Sequence, residues 1–210
     1  MEGLRAGIID NTLKNNPITK SLYQGIFPSD KLSKHVCKKL PCAIVVNFDT
    51  KNEPGSHWIA ILIDKNKNVE YFDSYARSIS FNHRVFDYVT SITKNGHIKH
   101  LSGRAIQQNK TSVCGHYTIL FILCRAKKIS FEKFSDTFSD QRYAGEYDST
   151  IKSIIDQVIN ESSNINKTRC NALLRSTCVC NPQQTCTKKH DCIEKHRVGL
   201  LRKDRCYTLS

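Results

Sequence analysis

Apolar residues are distributed unevenly along the chain, and their spacing changes from block to block. Cys42-Ala43-Ile44-Val45-Val46-Asn47-Phe48 is a nearly unbroken apolar run rich in β-branched residues. Such a run marks a strand buried on both faces. Residues 49–56 contain Pro54-Gly55 and read as a loop. His57-Trp58-Ile59-Ala60-Ile61-Leu62-Ile63-Asp64 predicts a second strand and residues 69–73 a third, with residues 65–68 as the turn between them. A turn that short makes the two strands antiparallel neighbours. His57 opens one strand and Asp73 closes the next, so the hairpin brings them to the same end of the sheet.

Between residues 81 and 93, Val85, Phe86, Val89 and Ile92 recur at helical spacing. Residues 97–107 can supply another strand. Thr118-Ile119-Leu120-Phe121-Ile122-Leu123-Cys124 is helix-forming and strongly apolar, and between residues 148 and 160 Ile151, Ile154, Ile155 and Val158 share one helical face. Residues 1–35 are polar and turn-rich, interrupted by Leu22-Tyr23-Gln24-Gly25-Ile26-Phe27-Pro28, after which Ser29 or Asp30 can cap a short helix. Residues 161–166 read as a linker. The expectation is an α+β domain over residues 1–160: a small, largely antiparallel sheet packed against a central helix, with a separate tail over 161–210.

Composition adds a compartment and a charge. No stretch of about 18 apolar residues exists, so no membrane span is expected, and the N-terminus lacks the pattern of a secretory signal. The protein is therefore expected to work inside a cell or to be packaged within one, in the host interior or in a particle. There the ten cysteines point to catalysis or metal rather than disulfides. Cys37 and Cys42 lack companions for a metal site.

The net charge is +13, of which residues 161–210 contribute +6 through ten Lys/Arg against four Asp/Glu. Such a charge attracts polyanions, although no nucleic-acid-binding motif accompanies it and a solubilising surface is the plainer reading. The tail holds Cys170, Cys178, Cys180, Cys186, His190, Cys192 and His196, enough ligands for one zinc ion. Their spacing fits no standard finger, and the alternative is a flexible tail whose thiols can cross-link in an oxidising particle.

The chemistry centres on Cys114, which stands between a polar loop and the apolar helix. Free N–H groups and the positive dipole end at a helix start favour a thiolate. Thiol proteolysis also needs a base, a group that orients it, and oxyanion donors. His57 and Asp73 suit the first two roles. A glutamine side chain, Gln107 or Gln108, and the Cys114 backbone N–H suit the third. Cys124 is read as an inert core thiol, Trp58 as a wall of the site, and His116 as pointing away from it.

Several pieces resemble the adenovirus-type maturation proteases, a group that also includes the SUMO- and ubiquitin-like-modifier proteases. They are Gly25-Ile26-Phe27-Pro28-Ser29-Asp30-Lys31-Leu32, Cys42-Ala43-Ile44-Val45, Gly55-Ser56-His57-Trp58, Tyr71-Phe72-Asp73-Ser74, and the run from Gln107 to Tyr117. The resemblance spans residues 20–127 and implies a Cys114–His57–Asp73 triad. The adenoviral spacing selects Gln107 as the oxyanion residue, and the modifier-protease spacing selects Gln108; Gln107 is preferred. The implied function is a monomeric cysteine endopeptidase cleaving viral or virus-like precursor proteins, those of a virus or of a virus-like mobile element.

The alternatives are a modifier isopeptidase and a nucleic-acid- or capsid-associated protein on an inactive protease fold. The chemistry requires no cofactor. DNA as an activator is compatible with the charge. The adenoviral activating disulfide is not, because no cysteine lies between Cys42 and Cys114.

Overall fold

A computed structural model describes residues 3–163, apart from 35, 36, 38, 94–96, 102, 103 and 141–143. The elements are helix α1 (Ala6–Asn15), strand β1 (Tyr23–Pro28), a 3₁₀ helix (Ser29–Lys34), β2 (Cys42–Asn47), β3 (Trp58–Ile63) and β4 (Val69–Phe72). A second 3₁₀ turn (Ile79–Phe81), α2 (His83–Thr93), β5 (Ile98–His100), α3 (Cys114–Ala126), α4 (Phe131–Asp136) and α5 (Ala144–Ser163) follow. The fold class is the α+β arrangement that the sequence implies.

The strands lie in the order β1-β2-β3-β4-β5. The three central strands are antiparallel, while each edge strand runs parallel to its neighbour. The sheet is therefore mixed. Strand β1 was not foreseen: residues 22–28 look like an isolated apolar patch until the edge of β2 supplies a partner. Its pairing shifts register between Tyr23 and Gly25, and Gly25 has φ 137°, a conformation open to glycine. The strand expected within 97–107 shrinks to three residues at the opposite edge.

Burial on both faces of β2 gives the sheet two cores. Ala43 and Val45, with Ala60, Leu62 and Phe72, face α1, α3, α4 and α5. Cys42, Ile44 and Val46, with Ile59, Ile61 and Tyr71, face α2 and the first 3₁₀ helix. Alternation with period two sends successive side chains of one strand to opposite sides. On the α3 side the rings of Phe72 and Phe121 stack at 4.6 Å, and Phe134 meets both edge-on.

Helix α1 was also missed. Ile9 and Leu13 are its main apolar contacts, and its other residues resemble loop. Helix α2 begins at His83 rather than Phe81, which lies in the preceding turn and is 64% exposed. Helix α5 runs through Ser163, so the first three residues of the expected linker are helical. The remainder of the tail, with its cysteines, histidines and much of its basic charge, lies outside the described residues. Ile155 is fully buried, and Ile155→Val is expected to lower stability by about 0.5–1.5 kcal/mol in denaturant unfolding.

Cys37 and Cys42 form a disulfide, with Cα atoms 6.4 Å apart. The sequence reading set disulfides aside in favour of catalysis or metal. Two cysteines flanking the turn into a strand lie close enough to bridge. Among the described residues, no helix is long and apolar enough to cross a membrane.

Candidate active site

Helix α3 starts at Cys114, and its N-cap, Val113, offers no side-chain hydrogen bond. The first amides of an α-helix lack acceptors within it; the His116 N–H donates to the Val113 carbonyl, which leaves those of Cys114 and Gly115 for an anion at the cysteine sulfur or beside it. Cys114 is 8% exposed. Its carbonyl accepts a hydrogen bond from Thr118 Oγ1, which fixes the first turn.

Strand β3 presents His57 just before its first residue, and β4 releases Asp73 just after its last. Both are buried. His57 Nε2 lies 2.6 Å from Asp73 Oδ1. A carboxylate oxygen accepts, so Nε2 carries the proton, and Nδ1 is left for the nucleophile. Cys114 lines the same cleft as the imidazole. Burial alone would lower the His57 pKa, but the hydrogen bond and charge of Asp73, with the Cys114 thiol nearby, outweigh it and raise the value to about 8. The ring is packed between Phe48 (5.1 Å) and Tyr75 (5.0 Å), and Arg77 covers Tyr75 from 4.8 Å.

Asp73 Oδ1 also accepts from the Tyr75 backbone N–H at 2.8 Å. Asp73 Oδ2 and the Tyr71 hydroxyl are buried without a hydrogen-bond partner. Burial raises the Tyr71 pKa, so its hydroxyl stays neutral. All the hydrogen bonding of the carboxylate is thus concentrated on the oxygen that faces His57.

Gln107 is buried beside this pair, while Gln108 has an exposed side chain. Ser74 Oγ donates to Gln107 Oε1 at 2.7 Å and thereby orients the amide. Gln107 Nε2 donates to the Thr111 carbonyl at 2.8 Å and to the Tyr75 hydroxyl at 3.0 Å. Both of its hydrogens are thereby engaged. Asp148, on α5, accepts from Thr111 Oγ1, the Gln108 N–H and the Tyr117 hydroxyl, and so ties the loop before Cys114 to the body of the protein.

Ser74, Tyr75, Thr111 and Asp148 were not singled out from the sequence. Ser74 and Tyr75 directly follow Asp73, and that proximity was their only signal. Asp148 is 34 positions from Cys114 and gave none.

Trp58 walls the site, and its Nε1 donates to the Leu4 carbonyl at 2.9 Å. Gly115 lets these parts close together. A Cβ there would lie 3.0 Å from Leu4 Cβ, 3.1 Å from Ile9 Cδ1 and 3.3 Å from Trp58 Cδ1. Gly115→Ala is expected to destabilise the fold by about 1–3 kcal/mol, checked by denaturant unfolding.

His116 faces away from the site, toward Asp156 at 3.3 Å. Its pKa is lowered, with burial the main cause. Cys124 is buried in the same helix, and burial pushes its thiol up to about 12. Among the described residues, no group of three or more His, Cys, Asp and Glu side chains could hold a metal ion.

Cys114, His57, Trp58 and Tyr75 open onto a cleft of about 560 Å³. A second groove of similar size, about 550 Å³, lies between the 108–113 loop and α5, but it contains neither Cys114 nor His57.

A cysteine at a helix start, an imidazole lining the same cleft, and a carboxylate bonded to that imidazole define a site of the cysteine-protease class. The profile of the Ulp1 protease family, C-terminal catalytic domain, matches residues 14–159, and the chain belongs to that family. It is 29% identical over 116 residues to a cysteine protease of African swine fever virus, covering 51% of this chain and 41% of that protein. A protein of another isolate, named a SUMO-1 cysteine protease, is 28% identical over the same shares. The chain thus spans about two fifths of the length of these curated relatives. A crystal structure of the African swine fever virus protease aligns with a TM-score of 0.48 at 21% identity, over 70% of this chain and 66% of that one.

Proposed function

We propose that the protein is a cysteine endopeptidase that cleaves viral or virus-like precursor polypeptides during particle maturation. The observation that carries the catalytic reading is the buried His57–Asp73 contact at 2.6 Å beside the cleft that His57 shares with Cys114. In this reading the Cys114 thiolate attacks the scissile carbonyl while His57 holds the proton. The carbonyl oxygen becomes an oxyanion, met by the Cys114 backbone N–H and by Gln107 Nε2, which exchanges one of its present acceptors for it. His57 Nδ1 then gives its proton to the departing amine. A thioester remains, and His57 takes a proton from the water that hydrolyses it. Three side chains and two N–H donors suffice, and no metal or organic cofactor is required.

The maturation role is supported by the adenovirus-type resemblance and by relatives that belong to a virus. A second reading, removal of a ubiquitin-like modifier, is favoured by the Ulp1 family match and by a relative named for SUMO-1. An inactive scaffold is the weakest alternative. Such a scaffold gives no reason for a cysteine and a carboxylate-bonded histidine to line one cleft.

Residues 161–210 are proposed as an appendage that adds nonspecific DNA affinity, with zinc as a candidate ligand of its Cys/His cluster. The protein is proposed to act as a monomer in the host cell interior and in the particle. Incubation with structural-protein peptides and with modifier fusions tests the assignment. Cleavage of internal peptide bonds is expected. Cleavage confined to the junction after a modifier would establish the second reading instead.

A further inference from the structure

Residues 3–6 lie ahead of the first residue matched by the family profile, yet they line the cleft that contains Cys114 and His57. Three observations fix them there. Trp58 Nε1 holds the Leu4 carbonyl at 2.9 Å, a tether that does not depend on the Leu4 side chain. Leu4 Cβ lies 3.0 Å from where a Cβ at position 115 would stand, one residue after the nucleophile. At Gly3, a Cβ would lie 3.3 Å from the Ser112 carbonyl, so the segment crosses the nucleophile loop from 112 to 115. Behind it, α1 is anchored by Ile9 and Leu13, both fully buried.

We infer that this segment is a wall of the substrate groove, and that Leu4 selects by size which substrate side chain can lie beside the scissile bond. The inference rests on the proposed peptidase reading and adds a specificity element to it. A half-buried leucine packed beside Trp58 gives an apolar surface of fixed position. Substrates that press against it are discriminated by volume, and a hydrophobic wall separates side chains differing by one methylene about tenfold or more. Shortening Leu4 enlarges the groove, and a phenyl ring narrows it. The backbone tether to Trp58 survives both changes.

The test uses full-length protein and a set of peptidyl vinyl sulfones that differ only in the residue next to the electrophile. Covalent labelling of Cys114 is measured for wild type, Leu4→Ala and Leu4→Phe, each rate divided by that with iodoacetamide to correct for thiol accessibility. Leu4→Ala is expected to shift the bulky-to-small ratio upward about tenfold and Leu4→Phe to shift it downward. Identical ratios in all three proteins, with wild type still favouring some probes over others, overturn the wall and leave the peptidase reading intact. A wild type that shows no preference among the probes and labels no faster than His57→Ala overturns the peptidase reading and the wall with it.

Discussion

Cys114→Ala is expected to lower peptide hydrolysis on the order of 10⁴–10⁶-fold, His57→Ala to come close to it, and the double variant to be no worse than the first. The near-equality follows from the geometry. A nucleophile and the base that activates it act as a unit, so removing either disables both. Cys114→Ala should leave the fold intact, whereas His57→Ala leaves the buried Asp73 carboxylate with only the Tyr75 N–H and is expected to lower stability, so its activity is read at a temperature where the variant is folded. Iodoacetamide separates the two roles: the wild-type thiol should alkylate at Cys114 and not at Cys124, whose burial holds it neutral.

The same pair sets a pH window. His57 is raised from 6.5 to about 8 in the folded protein. Its charged contacts therefore add stability below about 6.5, and that contribution is lost as pH rises through about 8. The leaving amine also needs the imidazolium proton, so kcat/KM should fall on the alkaline side in the same region. A profile that stays flat to pH 10 would be incompatible with His57 as the acid.

Gln107→Ala is expected to lower kcat by about 10²–10³-fold with little change in KM, and Gln108→Ala to be much milder. The expectation rests on the proposed oxyanion role of Gln107, whose amide is oriented by Ser74 with its N–H₂ toward Tyr75 and Thr111. Gln108 contributes a backbone N–H to Asp148, and alanine keeps that group. Steady-state kinetics on a fluorogenic peptide measures both, and the reverse ranking would transfer the oxyanion role to Gln108.

The parts of this fold visible in the sequence are those stabilised by local pattern. The β-branched run of β2, the hairpin linking β3 to β4, and the apolar face of α5 each carry their own periodicity. The hairpin alone is enough to bring His57 and Asp73 together. Strand β1 and helix α1 depend on partners distant in sequence: β1 needs the edge of β2, and α1 needs the first turn of α3. The same limit applies within the site. Cys114, His57, Asp73 and Gln107 are chemically conspicuous residue types. Thr111, Asp148 and Leu4 act through a carbonyl, a brace between loop and helix, and a contact across a glycine, none of which leaves a signature in a single sequence.

The turn at residues 65–68 is closed by Asp64, which accepts from the Asn66 and Asn68 backbone N–H groups and from the Asn68 amide. A further bond, from the His97 N–H to Asn68 Oδ1 at 3.0 Å, ties it to the start of β5. The turn stands at the end of the hairpin opposite His57 and Asp73, about 20 Å away along six residues of β3. This makes the tip a suitable port for a reporter. A short epitope or a fluorophore-bearing peptide inserted between Asn66 and Lys67 should leave hydrolysis within about twofold of wild type, since exposed loop tips accept insertions. Such a label would report on the protein from the end of the hairpin remote from the active site while that site goes on working.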